Sequence, residues 1–358
     1  MLDMKHYVPI LRWKQAEMLA LRNLRDEDKT RITPVIEITP KSFLPAKRGK
    51  WMGAQPEPGK VLTHHAKEIL RNWGYSPFFL ELRHIEEAVG PIDGKVHSLS
   101  YITELGRSYR LKIVPVTGLE RSVNYQSAVA AVVKEDKRGV CLRLSPSDVL
   151  APEFSGQLRK ILHTLDANVE DVDFLVDYGV YDPEAPLITA LFQRVPELSG
   201  WRSLIVSRGA FPKDLQGFTP GTHTIRRGDW LTWKHEVSER KIARRPSFSD
   251  YTIQYGQYRE PVDNANPSAS IRYTLDEEWL ILRGEGIFNE DGPGRAQWNA
   301  NAMLLLDRTD FYGETFSDGD SYIARMSRDA SDHGSPMTWI RAGLNHHLTV
   351  VSRQVAAL

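Results

Sequence analysis

Short runs of β-branched and aromatic residues recur eight times in the first 260 residues, and this repetition constrains the fold more than any other feature. Segments with a helical spacing of apolar residues separate most of these runs, as at 16–24 and 158–165. Strands that alternate with helices are typical of parallel sheets joined by crossover connections. The runs are Tyr7–Arg12, Val35–Thr39, Phe78–Arg83, Ile113–Thr117, Val140–Leu144, Phe174–Asp177, Leu204–Ser207 and Tyr251–Tyr255.

Eight strand–helix units in about 260 residues match the usual length of a closed barrel. We therefore predict an α/β fold, a TIM-type (β/α)8 barrel over residues 1–267. A C-terminal α+β extension, consisting of a hairpin plus helices packed on the barrel, is predicted for 268–358. The boundary follows from an Asn- and Pro-containing linker at 264–268. An open doubly wound sheet is the alternative, since it shows the same alternation.

Two features do not fit a regular barrel. Pro9 and Pro115 each lie inside a predicted strand, although a central strand cannot spare the N–H that proline lacks. Paired bulges in two halves of a barrel, or chance, would each explain this. The seventh connection, 208–250, is also long, and its segment Asp229–Trp233 is compatible with a helix start or a strand.

Four elements are predicted in the extension. Ser270–Thr274 and Glu278–Gly284 have the composition of two strands that form a hairpin. Gln297–Phe311 is predicted to be a helix. Trp339–Val355 is predicted to be an amphipathic helix because its apolar residues form one stripe.

The formal net charge is zero, so a global positive field that would attract nucleic acid or a membrane is excluded. No apolar run reaches the roughly 18 residues that cross a bilayer, and the N-terminus lacks the apolar core of a secretory signal. Cys141 is the only cysteine, which excludes a disulfide framework. We therefore expect a cytoplasmic protein without a membrane partner.

Strand alternation predicts which side chains face the barrel interior. In the third run, Phe78, Leu80 and Leu82 suit the helix-covered side, so Glu81 and Arg83 are expected to point inward. Function in such barrels concentrates at the C-terminal ends of the strands. The same reasoning places further residues at this end, namely Glu37, Arg143, Asp177, Thr117, Ser207 and Gln254, with Glu120 and Arg208 shortly after their strands.

The charged mouth has two interpretations. Arg83, Arg143 and Arg208 could clamp a phosphate, a carboxylate or a nucleotide. The candidate catalytic residues, which would act as a base or hold a metal, are then Glu37, Glu81 and Asp177. Alternatively, the same charges neutralise one another in a salt-bridge layer that plugs the barrel.

The sequence has no phosphate-cradling glycine loop after a strand, no His-x3-His pair and no nucleophile elbow. No metal centre is predicted, and any cofactor stays unknown.

The second connection, 41–59, is long enough to be a lid or a partner contact. Lys47, Arg48 and Lys50 precede Trp51, so this loop could hold a nucleic-acid backbone and stack a base. The alternative is a solvated loop whose tryptophan covers a neighbouring helix.

A second cluster lies in the extension. His346 and His347 diverge by about 100° on a helix, so they do not ligate one metal in the usual i, i+4 manner. One is expected to pack against Trp339 or the barrel, and the other to donate a hydrogen bond. Asp320 is expected to cap a helix start.

Arg272 and Arg283 lie on the two predicted hairpin strands. They could bridge to Asp320 or Glu285, and structural pairing of this kind is favoured over ligand binding.

Several segments together resemble the phage "beta protein" family. They are the opening 7–14 and 34–37, and the C-terminal segments 270–274, 279–284, 316–320, 339–341 and 345–349. The resemblance spans nearly the whole chain. It implies the beta component of gop–beta–cII-type loci, which are found among mobile anti-phage defence islands. There beta is thought to restrain a toxic companion, gop, encoded nearby; the resemblance implies no catalytic residues.

Three functions follow as hypotheses. The leading one is a protein-binding regulator that holds a toxic partner inactive until infection perturbs the complex. The second is an enzyme that acts at the barrel mouth on a nucleotide or phosphodiester. The third is a nucleic-acid sensor that uses the loop at 47–51.

Overall fold

The computed structural model describes residues 2–45, 53–86, 88–239, 242–260 and 265–358. Within these ranges the chain forms an eight-stranded parallel sheet and a three-stranded sheet. The strands in chain order are β1 (Ile10–Arg12), β2 (Val35–Glu37), β3 (Phe78–Glu81), β4 (Ile113–Thr117), β5 (Val140–Leu144), β6 (Val172–Val180), β7 (Ser203–Gly209), β8 (Gly221–Arg226), β9 (Ser247–Ser249), β10 (Ile271–Thr274) and β11 (Glu278–Arg283).

The large sheet closes into a barrel. Its strand order is β1 to β7 followed by β9. The backbone N–H of Val8 donates to Phe248 O at 3.0 Å, and that of Ile10 donates to Asp250 O at 2.8 Å. These bonds join the first strand to the last, so the predicted (β/α)8 barrel is confirmed and the open sheet is wrong.

The last barrel strand lies earlier than predicted. The prediction of a strand at Tyr251–Tyr255 is wrong, because Ser247–Ser249 pairs with β7 instead. The carboxylate of Asp250 accepts a hydrogen bond from the N–H of Thr252 at 2.9 Å, and Thr252 has a φ of 58°. An aspartate that bonds the backbone two residues ahead makes a turn, and this turn ends the strand.

The two prolines are accommodated in different ways. Pro9 precedes β1 rather than lying within it. Pro115 does lie within β4, opposite Leu80, but β4 pairs with β5 only at Val116 and Thr117.

Helices follow most barrel strands and cover the outer surface of the barrel. The ambiguous segment Asp229–Trp233 belongs to a helix. The helices are α1 (Gln15–Arg22), α2 (Asp26–Lys29), α3 (Pro58–Asn72), α4 (Ser98–Ser108), α5 (Val123–Asp136), α6 (Pro146–Leu150), α7 (Phe154–Leu165), α8 (Ile188–Phe192), α9 (Gly228–Glu239), α10 (Gln297–Leu306), α11 (Asp318–Arg328) and α12 (Pro336–Ala356).

Strand alternation divides the core into two layers. Phe78 and Leu80 pack outward against the helices, whereas Phe79 packs inside the barrel with residues such as Cys141 and Leu175. Because side chains alternate along a strand, the next inward position after each of these apolar residues carries a charge. The barrel interior is therefore apolar in its middle layer and charged at the C-terminal ends of the strands.

The small sheet combines the predicted hairpin with a strand that the sequence did not reveal. β10 and β11 pair antiparallel as predicted, and β11 also pairs with β8. The predicted boundary at residue 267 therefore divides this sheet, since β8 precedes it. Leu344, Leu348 and Val351 of α12 belong to the same core as the barrel helices.

Candidate functional site at the barrel mouth

Strand register places charged side chains in one row at the C-terminal end of the barrel. Arg12 of β1 lies opposite Glu37 of β2, and Glu37 lies opposite Glu81 of β3. Arg143 is the penultimate residue of β5, and Asp177 lies within β6. Four of the residues predicted from the sequence are thus brought together here, because each occupies an inward position near the end of its strand.

Arg143 is the centre of the cluster. Its Nη1 donates to Glu37 Oε1 at 2.8 Å and to Glu81 Oε2 at 3.3 Å. Its Nε and Nη2 donate to Asp177 Oδ2 at 3.0 and 2.7 Å. The hydroxyl of Tyr251 donates to the same Asp177 oxygen at 2.6 Å. One guanidinium therefore binds three carboxylates, which its planar fork of donors allows.

Three more arginines surround these carboxylates. Arg83 Nη2 lies 3.1 Å from Glu37 Oε1, and Arg12 Nε lies 3.9 Å from Glu37 Oε2. Arg121 Nη2 donates to both oxygens of Glu81, at 2.9 and 3.0 Å. Buried charges are tolerated only when they are paired, and here each carboxylate meets at least two cationic groups. We refer to these four arginines and three carboxylates as the mouth layer.

The arginines of the mouth layer lower the pKa of two of its carboxyl groups. Burial alone would favour the neutral form of Glu37, but Arg83 and Arg143 outweigh it and hold its pKa well below the ordinary 4.5. For Asp177 too, burial is outweighed by Arg143 and then Arg83, and the pKa is lowered. A general base works best with a pKa near the working pH, so both carboxylates are poorly suited to proton transfer. Of the two interpretations of the charged mouth, the contacts favour a salt-bridge layer over a catalytic site.

Arg208, predicted as an anion clamp, lies apart from the mouth layer. Its Nη2 donates to Glu236 Oε1 of α9 at 3.0 Å, and both side chains are buried. Its guanidinium also lies 4.1 Å from the ring centre of Tyr178. Glu236 was not predicted, because a single acidic residue on a helix gives no signal of its partner.

A cavity of about 810 Å³ lies above the mouth layer. Arg83, Asp177 and Tyr251 line it, together with Ser147 and Tyr258 from neighbouring loops. The Arg83 side chain is 27% exposed, which makes it the member of this group best able to meet a ligand. The other residues predicted near the strand ends lie outside the mouth layer. Thr117 is hydrogen-bonded to Gln126, and Gln254 is hydrogen-bonded to Glu17 and Arg12. Ser207 is buried, and Glu120 is exposed.

The two histidines of the extension are both buried and both hydrogen-bonded. His346 Nδ1 lies 2.9 Å from Asp320 Oδ2, and its Nε2 lies 2.8 Å from Thr274 O. His347 Nε2 lies 3.0 Å from Asp250 Oδ2 in the barrel. The divergence of neighbouring helix positions sends one ring into the extension and the other towards the barrel.

The prediction that Asp320 caps a helix is wrong. Ser317 caps α11, since its hydroxyl accepts a hydrogen bond from the N–H of Asp320 at 3.1 Å. Asp320 is instead buried in the first turn, where it accepts from the hydroxyl of Tyr273 at 2.7 Å.

The predicted bridges from Arg272 and Arg283 to Asp320 or Glu285 are also wrong. Arg272 donates to Ile253 O at 3.0 Å, and Arg283 lies 3.4 Å from Phe218 O. Both arginines lie on the face of the small sheet opposite to Tyr273, whose hydroxyl meets Asp320. Strand alternation therefore separates them from this carboxylate.

The candidate nucleic-acid loop, with Lys47, Arg48, Lys50 and Trp51, lies outside the described residues. Over the ranges that the structure does describe, no three His, Cys, Asp or Glu side chains are grouped to hold a metal ion. In the same ranges, no helix is both long and apolar enough to cross a membrane.

Sequence reasoning missed Arg12, Arg121 and Tyr251. Arg12 is the last residue of its run and shares a strand face with Ile10, so the alternation rule that found Glu37 could also have found Arg12. Arg121 follows β4 in a loop, and Tyr251 was misplaced in a strand. For these two, only the three-dimensional path of the chain reveals the contact.

The architecture defines a class: a (β/α)8 barrel with a charged mouth layer and a C-terminal extension bonded to its rim. The chain belongs to the Beta protein family, whose sequence profile matches residues 7–353. Protein beta of Enterobacteria phage P4 is 24% identical over 373 residues, which span 96% of this chain and 91% of that protein.

One solved structure has a weak similarity to this fold. It is a GH138 enzyme targeting pectin rhamnogalacturonan II, and it aligns with 92% of this chain at 9% identity and a TM-score of 0.32. The aligned part covers 39% of that enzyme's chain. This score is too low to establish a common fold.

Proposed function

We propose that this protein acts by binding, as the regulatory component of an anti-phage defence locus that restrains a toxic companion protein encoded nearby. The observation that carries the choice of binding over catalysis is the mouth layer. Its three carboxylates, the candidate catalytic groups, are each bound by arginines. The companion and the defence role are proposed on the basis of the family resemblance described above.

Exposed apolar side chains in the extension support a protein partner. Phe288, Met303 and Leu304 are 62%, 56% and 56% exposed. Two of them lie next to each other on α10. Contiguous exposed apolar surface marks sites of protein contact, so Met303 and Leu304 are the candidate contact residues for the companion.

Co-expression with the neighbouring gene product tests the proposal. The expected result is rescue of the companion's toxicity and recovery of a complex by affinity purification. Replacement of Met303 and Leu304 by glutamate should abolish both, whereas glutamate at Val123, an exposed residue of α5, should abolish neither. Absence of a complex together with absence of rescue would end the proposal.

The cavity above Arg83 favours a second candidate function, an enzyme acting on a nucleotide or phosphodiester. Arg83 and Arg143 would bind phosphate, while Glu81 and Asp177 would act on it. Replacement of both carboxylates by alanine should then abolish defence in a plaque assay while the protein stays folded by circular dichroism. Full defence in a well-folded double variant would contradict catalysis.

A nucleic-acid sensor is the third candidate, based on the sequence of the 47–51 loop. Binding should fall steeply with salt and weaken when Lys47, Arg48 and Lys50 are replaced. Binding that does not respond to salt would count against it.

A further inference from the structure

A second cavity, of about 490 Å³, lies where the barrel meets the extension. Arg12 and Lys14 line it from the end of β1, and Lys213 lines it from the connection after β7. Arg259 lines it from the chain beyond β9, and Arg272 from β10 of the small sheet. Segments far apart in the sequence thus place five cationic side chains around one space, which we call the basic cleft.

The basic cleft lacks a matching set of anions. Of the described residues, Glu17 is the one carboxylate that lines it, and Glu17 accepts a hydrogen bond from Gln254. Within the same part of the chain, Lys14, Lys213 and Arg259 have no salt-bridge partner within 4.0 Å. This differs from the mouth layer next to it, where every carboxylate is bound by arginines.

Arg12, which is buried, and Arg272, which is half-buried, both have donors to spare. Arg12 is 6% exposed; its Nη2 donates to Tyr255 O at 2.7 Å, and its Nε lies 3.9 Å from Glu37 Oε2 of the mouth layer, too far for a hydrogen bond, so this N–H has no hydrogen-bond partner. Arg272 donates to the carbonyl of Ile253 and otherwise lies against the ring of Phe211, 5.1 Å from its centre. Neither of these two contacts neutralises the positive charge of Arg272.

Burial also affects the acidity of these groups. Burial, followed by repulsion from Arg283, lowers the pKa of Arg272 to about 10. Burial is likewise the largest cause that lowers the pKa of Arg12 and of Lys14. An anion in the cleft would relieve this cost, because an opposite charge favours the charged form of each cation.

We propose that the basic cleft binds a phosphate-bearing small molecule, held between the barrel and the extension. Arginine forks and lysine ammonium groups are the usual protein ligands for phosphate. The volume falls in the range of small-molecule sites, about 300–1,000 Å³. The cations would bind the phosphate groups of a nucleotide and of free polyphosphate alike. Tyr255 also lines the cleft, and its ring could contact the base of a nucleotide. The site is separate from the proposed companion interface on α10 and stands without it.

Isothermal titration calorimetry on the full chain tests the proposal with two probes, ATP and inorganic pyrophosphate. The native protein should bind at least one of them. A cleft variant, Lys213→Glu with Arg259→Glu, should weaken binding at least about tenfold, because each reversed side chain removes a charge-assisted contact. Both positions are exposed, so the fold should be retained, with circular dichroism as the check.

The matched control carries Arg159→Glu and Lys160→Glu, two exposed positions on α7 with the same change in net charge. It should bind like the native protein. Tighter binding of ATP than of pyrophosphate would identify a nucleotide site, and equal binding would identify a site for the phosphate groups alone. No binding of either probe up to about 1 mM, or equal losses in both double variants, would overturn the proposal.

Discussion

The Nε2 atom of His347 lies 3.0 Å from Oδ2 of Asp250, so the last helix of the chain is hydrogen-bonded to the rim of the barrel. The Nδ1 atom of the same ring lies 2.9 Å from the hydroxyl of Thr274 in the small sheet. Burial lowers the pKa of His347, which keeps the ring neutral at neutral pH. A neutral ring that donates to Asp250 and accepts from Thr274 satisfies both contacts.

Replacement of His347 by alanine should destabilise the fold by about 2–4 kcal/mol, because it removes a partner of buried Asp250 and opens a cavity. The change is measured as the free energy of unfolding in urea. His235→Ala, at an exposed position of α9, should change it by less than about 0.5 kcal/mol. Equal stability of the two variants would show that the contact contributes nothing.

Arg143→Lys should destabilise the protein although the charge is kept. A single ammonium cannot reach Glu37, Glu81 and Asp177 at once as the guanidinium does, so at least one carboxylate loses its contact with this position. We expect a loss of about 3 kcal/mol in the free energy of unfolding. Arg159→Lys, at an exposed position, should be neutral, and a neutral Arg143→Lys would contradict the central role of this side chain.

Acid should destabilise the native state through His65. This residue is 4% exposed, and burial together with the neighbouring His64 lowers its pKa from 6.5 to about 4. Between these two values the unfolded chain binds the proton and the native protein does not, so stability falls as the pH falls from 6.5 towards 4. From pH 7 to pH 5 this group alone should cost about 2 kcal/mol, measured by urea unfolding at each pH.

His65→Gln should remove that part of the pH dependence, because glutamine does not titrate and can still reach Ser42, which lies 2.9 Å from His65 Nε2. His163→Gln, at an exposed position of α7, is the control, because His64 itself contributes to the lowered pKa of His65. Identical pH profiles for the native protein and His65→Gln would contradict the assignment.

Two glycine-to-alanine substitutions should change the free energy of unfolding in opposite directions. A Cβ at Gly343 would lie 2.6 Å from the carbonyl oxygen of Arg272, so alanine must push α12 away from β10. We expect a loss of about 1–3 kcal/mol in spite of the higher helix propensity of alanine. At Gly156 on α7 nothing lies within 4 Å, and alanine should stabilise by about 0.5–1 kcal/mol. Thermal and urea unfolding of both variants check the signs.

Local patterns predicted much of the barrel and of its mouth. The alternation along Phe78–Glu81 correctly assigned which side chains pack under the helices and which point inward. That assignment needs only the two-residue period of a strand, which every extended segment shares. The same pattern did not reveal β8, because its residues are mostly exposed and pair with a strand from a distant part of the chain.

By itself, the sequence determined the parallel barrel, the position of the last helix and several of the charged residues near the strand ends, because periodicity and strand-end position are local properties. Only the tertiary structure decided what those charges do. Whether Arg143 meets a ligand or three carboxylates depends on distances between strands separated by up to 106 residues. It also decided that, among the residues that the structure describes, the cations of the basic cleft outnumber the carboxylates that line it, since ion pairing depends on distances in space and not on spacing along the chain.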